Sequence, residues 1–98
     1  MSLRRYTTLR SSRGTTWPTD VLRRLRERDR ICVGAVIDMP GPCYGMLEPD
    51  HVRASGALGR KSRSTLDNGA MLCSAHHRIK TEHGREWRPR LLDYIDGR

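Results

Sequence analysis

Apolar and polar residues follow patterns that change several times along the chain and divide it into predicted elements. The stretch TTWPTDVLRRLRERDR places its aliphatic residues at helical spacing, with arginines on the other face, and predicts a first helix. Thr16 or Thr19 can cap this helix, and Trp17 is expected to pack beneath it. Residues 31–48 are rich in β-branched side chains and predict extended structure on both sides of a turn at MPGPC.

The second half of the chain predicts one more extended segment, a loop and further helix. Residues 44–51 form the extended segment, and the polar stretch RASGALGRKSRST predicts a long loop. LDNGAML then leads into a short helix, SAHHRIKTEHG, which Gly84 can end. EWRPRLLDYI predicts a short final helix or an extended tail, because Pro89 leaves its start open. Together these elements predict an α+β fold.

The composition predicts a single small domain with a thin core. The chain has 98 residues, of which 36% are hydrophobic, and it contains no Phe. Domains of this kind often need a metal, disulfides or a partner for stability. The Arg-, Ser- and Thr-rich start predicts a flexible basic arm over residues 1–15, followed by one domain over residues 16–98.

The net charge of +8 is concentrated near the N-terminus and favours nucleic acid as a partner. Residues 1–30 hold nine arginines against three acidic residues, whereas the remainder carries a net charge of only +2. A basic arm and helix on a nearly neutral body suit a polyanion, because phosphate contacts release condensed counterions. The alternative is a charged surface that only maintains solubility.

Three cysteines, an odd number, argue against a closed disulfide framework. No stretch of the chain has the pattern of a signal peptide or a membrane span. We therefore expect a cytoplasmic protein, in the host cytoplasm if phage-encoded, with no membrane partner. In a reducing compartment the cysteines are more suited to metal binding than to disulfides.

An Asp-His pair, an Asn and a Cys-x-x-His-His segment follow one another in a diagnostic order. The pattern RERDRIC … C … EPDHV … LDNGAMLCSAHHRIKT resembles that of the HNH endonucleases of the His-Me finger, or ββα-metal, class. The resemblance is to small phage-type members, covers roughly residues 17–82, and includes a Trp and an Arg-rich helix before the first Cys. It implies a small ββα-metal domain that follows a basic helix and hydrolyses DNA phosphodiester bonds with low sequence specificity.

The resemblance also implies a role for each motif residue. Asp50 and His77 bind the catalytic cation, His51 is the general base, and Asn68 braces the loop and orients the base. Thr81 stands where some relatives add a further ligand, so only two protein ligands are expected. The catalytic cation would be one divalent ion: Mg, Mn, Ni or Zn.

The chemistry of these side chains agrees with those roles. A carboxylate and an imidazole can hold a cation that stabilises charge on a phosphate while leaving positions open. His51 follows Asp50 on an extended segment and so points to the other face, where it can take a proton from water. Glu48 shares the face of Asp50, where it is expected to pair with an arginine or to reach the metal through water.

A second, structural metal is implied by the cysteines. Family members with this layout usually carry two zinc-binding Cys-x-x-Cys-like pairs, and Cys73-x-x-His76 has the spacing of one. The other half would be Cys32 and Cys43, separated by ten residues and brought together by a hairpin. The set would form a closed Cys₃His zinc site. His76 and His77 can face different metals because adjacent helical residues are about 100° apart. His83 is a possible substitute for either histidine.

DNA contacts are expected from basic residues of the arm, the first helix and the C-terminal half: Arg4, Arg5, Arg10, Arg13, Arg23, Arg24 and Lys80. Two other functions stay open. One is a non-catalytic, zinc-stabilised nucleic-acid-binding module, and the other is a small accessory subunit that works with phage terminase or packaging proteins. A monomer or weak dimer is expected in each case.

Overall fold

The computed structural model describes residues 17–53 and 63–98, so the predicted arm and most of the polar loop lie outside the described residues. Within them the chain forms a small α+β fold, as predicted, with one two-stranded antiparallel sheet. The helices are α1 (Thr19–Arg28), α2 (Val33–Val36), α3 (Ser74–Glu82) and α4 (Gly84–Asp96). The strands are β1 (Leu47–His51) and β2 (Gly69–Cys73), and a 3₁₀ turn over Leu66–Asn68 leads into β2.

Helix α1 has the predicted apolar stripe but a different cap. Leu25 is fully buried, whereas the arginines cover the exposed face. The helix starts after Pro18, which occupies the N-cap position, and Thr19 already lies within the first turn. Pro18 can precede a helix at little cost because its missing N–H would have no intrahelical partner. The other predicted cap, Thr16, lies outside the described residues.

The segment predicted to be extended before the turn contains the short helix α2 instead. Val33 and Gly34 are buried in this turn of helix, so tertiary contacts outweigh the strand preference of β-branched residues. Gly34 packs directly on His76 of α3. A Cβ at Gly34 would stand only 2.8 Å from Cγ of His76. The prediction of a strand here was therefore wrong, and the close approach of a helix explains why.

The sheet joins the two parts of the chain that carry the motif residues. In its register, Leu47 faces Cys73 and His51 faces Gly69. Every residue of β2 is buried. The core packs around this strand and is formed largely by Val33, Val52, Ala70, Leu72, Trp87, Leu91 and Ile95.

Helix α4 resolves the alternative left open for the last segment. Pro89 lies inside this helix, where its nitrogen cannot donate the hydrogen bond of an ordinary helical residue. Gly84 was predicted to end the preceding helix, but α3 stops at Glu82 and Gly84 begins α4. His83 separates the two helices with a non-helical backbone (φ −129°, ψ 47°). No helix in the described residues combines the length and apolar content needed to cross a membrane.

A buried ion pair at the end of α1 fastens this helix to the rest of the domain. The carboxylate of Asp29 accepts two hydrogen bonds from Arg28, both at 2.8 Å. It also accepts the Tyr94 hydroxyl of α4 at 2.8 Å and the backbone N–H of Met71 in β2 at 3.1 Å. The Arg28 guanidinium donates in turn to the carbonyl of Gly69 at 2.6 Å. The Arg-Asp pair of the sequence motif therefore links α1, β2 and α4.

Candidate functional site

The end of β2 and the start of α3 bring four potential metal ligands together. The Sγ atoms of Cys32, Cys43 and Cys73 and a ring nitrogen of His76 all lie within 4.8 Å of one another. Nδ1 of His76 is 3.3 Å from the sulfurs of Cys32 and Cys73 and 3.6 Å from that of Cys43. Three thiolates and one imidazole at such separations can hold a metal ion such as zinc. The structure therefore brings together the Cys₃His set predicted from the sequence.

The orientation of His76 suits coordination through Nδ1. Its other nitrogen, Nε2, lies 3.1 Å from the carbonyl oxygen of Pro40 and 3.0 Å from that of Gly41. A proton on Nε2 can be donated to these carbonyls, which leaves the lone pair of Nδ1 free for a metal. The loop reaches this position through left-handed backbone at Asp38 (φ 63°) and Gly41 (φ 83°).

Cys73 is prepared for the thiolate form by the start of helix α3. Its sulfur occupies the N-cap and accepts the backbone N–H of His76. Burial acts to raise the pKa of Cys73, but hydrogen bonds from the backbone N–H groups of His76 and Tyr44 and from the thiols of Cys32 and Cys43 together lower the pKa to about 7. Metals bind the thiolate, so the lower pKa of Cys73 favours metal binding. Desolvation and the thiols of Cys73 and Cys32 instead raise the pKa of Cys43 to about 11, so a metal would have to displace the proton of Cys43.

A second cluster lies where β1 faces the outer side of α3. Oδ1 of Asp50 is 3.0 Å from Nε2 of His77. On the opposite side of the ring, Nδ1 of His77 is 2.6 Å from Oε1 of Glu48. The hydroxyl of Ser74 donates to the other oxygen of Glu48 at 3.1 Å. Glu48 was expected to pair with an arginine or to reach the metal through water, and in the structure it binds His77.

The two carboxylates raise the pKa of His77. Hydrogen bonding to Asp50 is the largest cause, burial opposes it, and hydrogen bonding to Glu48 adds to it, so the pKa reaches about 9. The same contact lowers the pKa of Glu48. The ion-free protein thus holds an imidazolium between two carboxylates at neutral pH.

The separation of Asp50 and His77 would let both side chains contact one divalent cation. Two donor atoms about 2.1 Å from one ion, at right angles, are about 3 Å apart. The 3.0 Å between Oδ1 of Asp50 and Nε2 of His77 has this length, which is also that of the N–H···O hydrogen bond in the ion pair. The carboxylate oxygen suits Mg²⁺ or Mn²⁺, and the imidazole nitrogen suits Ni²⁺ or Zn²⁺. His77 must lose its Nε2 proton for the ion to bind, while Glu48 can keep the proton on Nδ1.

Lys80 lies beside the same carboxylate and is 7% exposed. Its ammonium is 3.1 Å from Oδ2 and 3.4 Å from Oδ1 of Asp50, and it donates to the backbone carbonyl of His51 at 2.7 Å. Oδ2 is buried, and no described residue forms a hydrogen bond with it, so its contact with Lys80 is an ion pair only. The phosphate contact expected of Lys80 stays a prediction, because in this structure its charge faces Asp50.

His51 occupies a different environment from its neighbour Asp50. Its ring stacks on Trp17, with centroids 4.4 Å apart and planes 12° apart. Its Nε2 lies 2.8 Å from the Ser64 hydroxyl oxygen. Burial lowers the pKa of His51 and outweighs the opposing charge of Asp50. A lowered pKa favours the neutral imidazole, which is the form that a proton acceptor requires.

Asn68 holds the two ends of the long loop together. Its Oδ1 accepts the backbone N–H of Arg53 at 2.9 Å, and its Nδ2 donates to the carbonyls of Arg53 at 3.2 Å and Arg63 at 2.9 Å. The backbone carbonyl of Asn68 also accepts the N–H of Val52 at 3.0 Å. The segment that follows His51 is thereby fixed in place.

The remaining predicted residues lie apart from both clusters. His83 is exposed beyond the end of α3 and belongs to neither. Arg23 forms an exposed ion pair with Glu27 at 3.3 Å, and Arg24 is exposed on α1. The arginines of the arm lie outside the described residues: Arg4, Arg5, Arg10 and Arg13.

Two contacts of the site were not predicted from the sequence: that of Trp17 with His51 and that of Glu48 with His77. The contact of Trp17 with His51 has no local signal, because the two residues are far apart in sequence. The position of Glu48 had a local signal, since Glu48 lies two residues before Asp50 on the same face of β1.

Comparisons of this chain with protein-family models, with curated proteins and with solved structures found no match.

Proposed function

We propose that the protein is a metal-dependent HNH endonuclease with a ββα-metal core that hydrolyses DNA phosphodiester bonds. The observation that carries this proposal is the 3.0 Å contact between Asp50 and His77, with His51 next to Asp50 on the same strand. β1, β2 and α3 would form the ββα unit. The Cys₃His cluster at the base of α3 would hold a structural zinc.

Each side chain would have a distinct task in hydrolysis. Asp50 and His77 would hold the catalytic cation, which supplies charge stabilisation at the scissile phosphate when bound. His51 would accept a proton from the attacking water. Trp17 would hold the plane of the His51 ring by stacking, and Asn68 would fix the backbone that follows it.

DNA would bind through electrostatic attraction to the arm and to the exposed face of α1. The arginines of residues 1–30 are well suited to phosphate oxygens and carry no direct sequence information. This arrangement supports low sequence specificity. It also supports a binding module that does not cut DNA, so the test must measure binding and cutting separately.

A plasmid-nicking assay with Mg²⁺, Mn²⁺ or Ni²⁺ tests the proposal. Loss of a general base costs about 10²- to 10⁴-fold in rate, so His51→Ala should cut at least 100-fold more slowly. His83→Ala is the matched control, because His83 is exposed and lies outside both clusters. It should cut like the wild type.

The outcomes separate the candidate functions. Equal cutting by the His51→Ala variant and the wild type would remove the assigned base. Salt-dependent DNA binding with no cutting under any of the three ions would favour the non-catalytic module. Both variants should retain their zinc and their circular dichroism spectrum, so that a loss of cutting is not a loss of folding.

A further inference from the structure

Lys80 is a buried charge that the proposed hydrolysis does not use. It lies on α3 one turn after His77, and its side chain is 9% exposed. All of its described polar contacts are made to two adjacent residues of β1: the carboxylate of Asp50 and the backbone carbonyl of His51. A buried lysine is unusual, and such groups are normally paired with an opposite charge.

The position of this ammonium has a direct consequence for cation binding. Asp50 is the one carboxylate of the proposed ligand pair, and its Oδ2 atom is 3.1 Å from Nζ of Lys80. The positive charge of Lys80 balances the negative charge of Asp50. A divalent cation at Oδ1 of Asp50 and Nε2 of His77 would therefore meet a ligand pair whose charge is already compensated, and it would be repelled by a nearby ammonium.

We propose that Lys80 weakens binding of the divalent cation at Asp50 and His77, so that the ion is held firmly only when a phosphodiester contributes its own negative charge. The inference rests on the proposed function, because it concerns the same cation site. In this role Lys80 is a positioning residue that acts through Asp50. Linkage then requires that the ion and the phosphodiester each strengthen binding of the other.

A purely structural role for Lys80 makes the opposite prediction. If Lys80 served only to satisfy Asp50 and to fasten α3 to β1, its loss would disorder the ligands and weaken cation binding. Under the present proposal, its loss leaves an unbalanced carboxylate that attracts the cation more strongly. The direction of the change in affinity therefore distinguishes the two roles.

The experiment measures Mn²⁺ affinity by electron paramagnetic resonance, on zinc-loaded protein without DNA. Mn²⁺ prefers oxygen and nitrogen ligands and binds most weakly in the first-row transition series, so it does not displace zinc from the Cys₃His cluster. Lys80→Met removes the charge and keeps the length of the side chain. Lys80→Arg keeps the charge, and Asp50→Asn removes the ligand.

The expected result is binding at least tenfold tighter in Lys80→Met than in the wild type. Lys80→Arg should bind within about threefold of the wild type, and Asp50→Asn should not bind measurably. Unchanged or weaker binding by a folded Lys80→Met protein would overturn the proposal. If Lys80→Met is unfolded without Mn²⁺, addition of Mn²⁺ should restore a cooperative melting transition, because the ion takes the place of the lost positive charge. Failure of Mn²⁺ to restore this transition would equally overturn the proposal.

The outcome is separable from that of the nicking assay. If neither the wild type nor Lys80→Met binds Mn²⁺, the cation site and the inference both fail. If Lys80→Met binds no tighter while the wild type still cuts plasmid, only the role of Lys80 fails. If Lys80→Met binds tighter and no protein cuts, the cation site stands and the nuclease proposal fails.

Discussion

Replacing Cys43 with Ala would test the proposed structural zinc with little disturbance of the core. Cys32 and Cys73 are buried, whereas Cys43 is exposed. Its sulfur nevertheless lies within 4.8 Å of the other three donor atoms. Cys43→Ala therefore deletes one ligand without opening a cavity, and any large loss of stability must come from the metal.

The expected magnitude follows from the size of the domain and the number of ligands. A chain of 98 residues has a free energy of unfolding of about 5–15 kcal/mol. Zinc in a four-ligand structural site contributes about 10–16 kcal/mol, which is comparable with the whole of that stability. If the four ligands share this contribution equally, loss of one costs roughly 2.5–4 kcal/mol. Ordinary surface substitutions change stability by no more than about 0.5 kcal/mol.

The assay is urea denaturation of zinc-loaded protein, with zinc content measured on the same samples. With a slope of about 1–3 kcal/mol per molar urea, the expected loss moves the midpoint of Cys43→Ala down by about 1 M or more. Met46→Ala is the matched control, because Met46 lies in the same loop and is 79% exposed. Wild-type protein should contain about one zinc per chain, and a strong chelator should unfold it.

Two results would refute the reasoning. One is a Cys43→Ala midpoint equal to that of Met46→Ala, which would show that the four donor atoms meet without binding a metal. The other is wild-type protein without zinc that unfolds cooperatively at the same urea concentration as zinc-loaded wild-type protein. Either result would leave the thin core as the sole source of stability.

Three further predictions concern the second cluster, the ion pair of α1 and the arm. In protein without Mn²⁺ the imidazole of His77 should titrate near pH 9 by NMR. Because the pKa of His77 is raised in the folded state, the protonated imidazole stabilises the domain fully below about pH 6.5, and this stabilisation is lost as the pH rises through 9. Glu48→Gln should lower the pKa of His77. An unchanged pKa in this variant would exclude the contact between Glu48 and His77. Asp29→Ala leaves Arg28 without its buried partner. Urea denaturation should show a loss of about 3–5 kcal/mol in the free energy of unfolding, and a change below about 1 kcal/mol would show that the ion pair is dispensable. Deletion of residues 1–15 removes four arginines and should reduce the slope of log K against log salt for duplex DNA by up to about 3–4, and an unchanged slope would exclude the arm from binding.

Local patterns in the sequence determined those elements in which backbone geometry alone fixes which side chains share a face. The apolar stripe of α1 predicted a helix because residues three and four apart share one face of any α-helix. The spacing of Cys73-x-x-His76 similarly predicted two donors on one turn, and α3 begins directly after Cys73. The α+β class and the Cys73-x-x-His76 half of the metal cluster could therefore be predicted from spacing, whereas Cys32 and Cys43 were assigned to it only through the family resemblance, and a short helix and loop bring them there instead of the expected hairpin.

Contacts between distant segments were decided by the tertiary structure alone. The β-branched residues around Val33 favour a strand locally, yet packing of Gly34 on His76 requires a turn of helix there. The contacts of Glu48 with His77, and of Lys80 with Asp50, depend on how α3 crosses β1 after the turn from β2. The spacing of residues along the chain does not specify how α3 packs across β1. This packing arises because β1 pairs with a fully buried β2, and α3 must then cover the sheet to complete a small core.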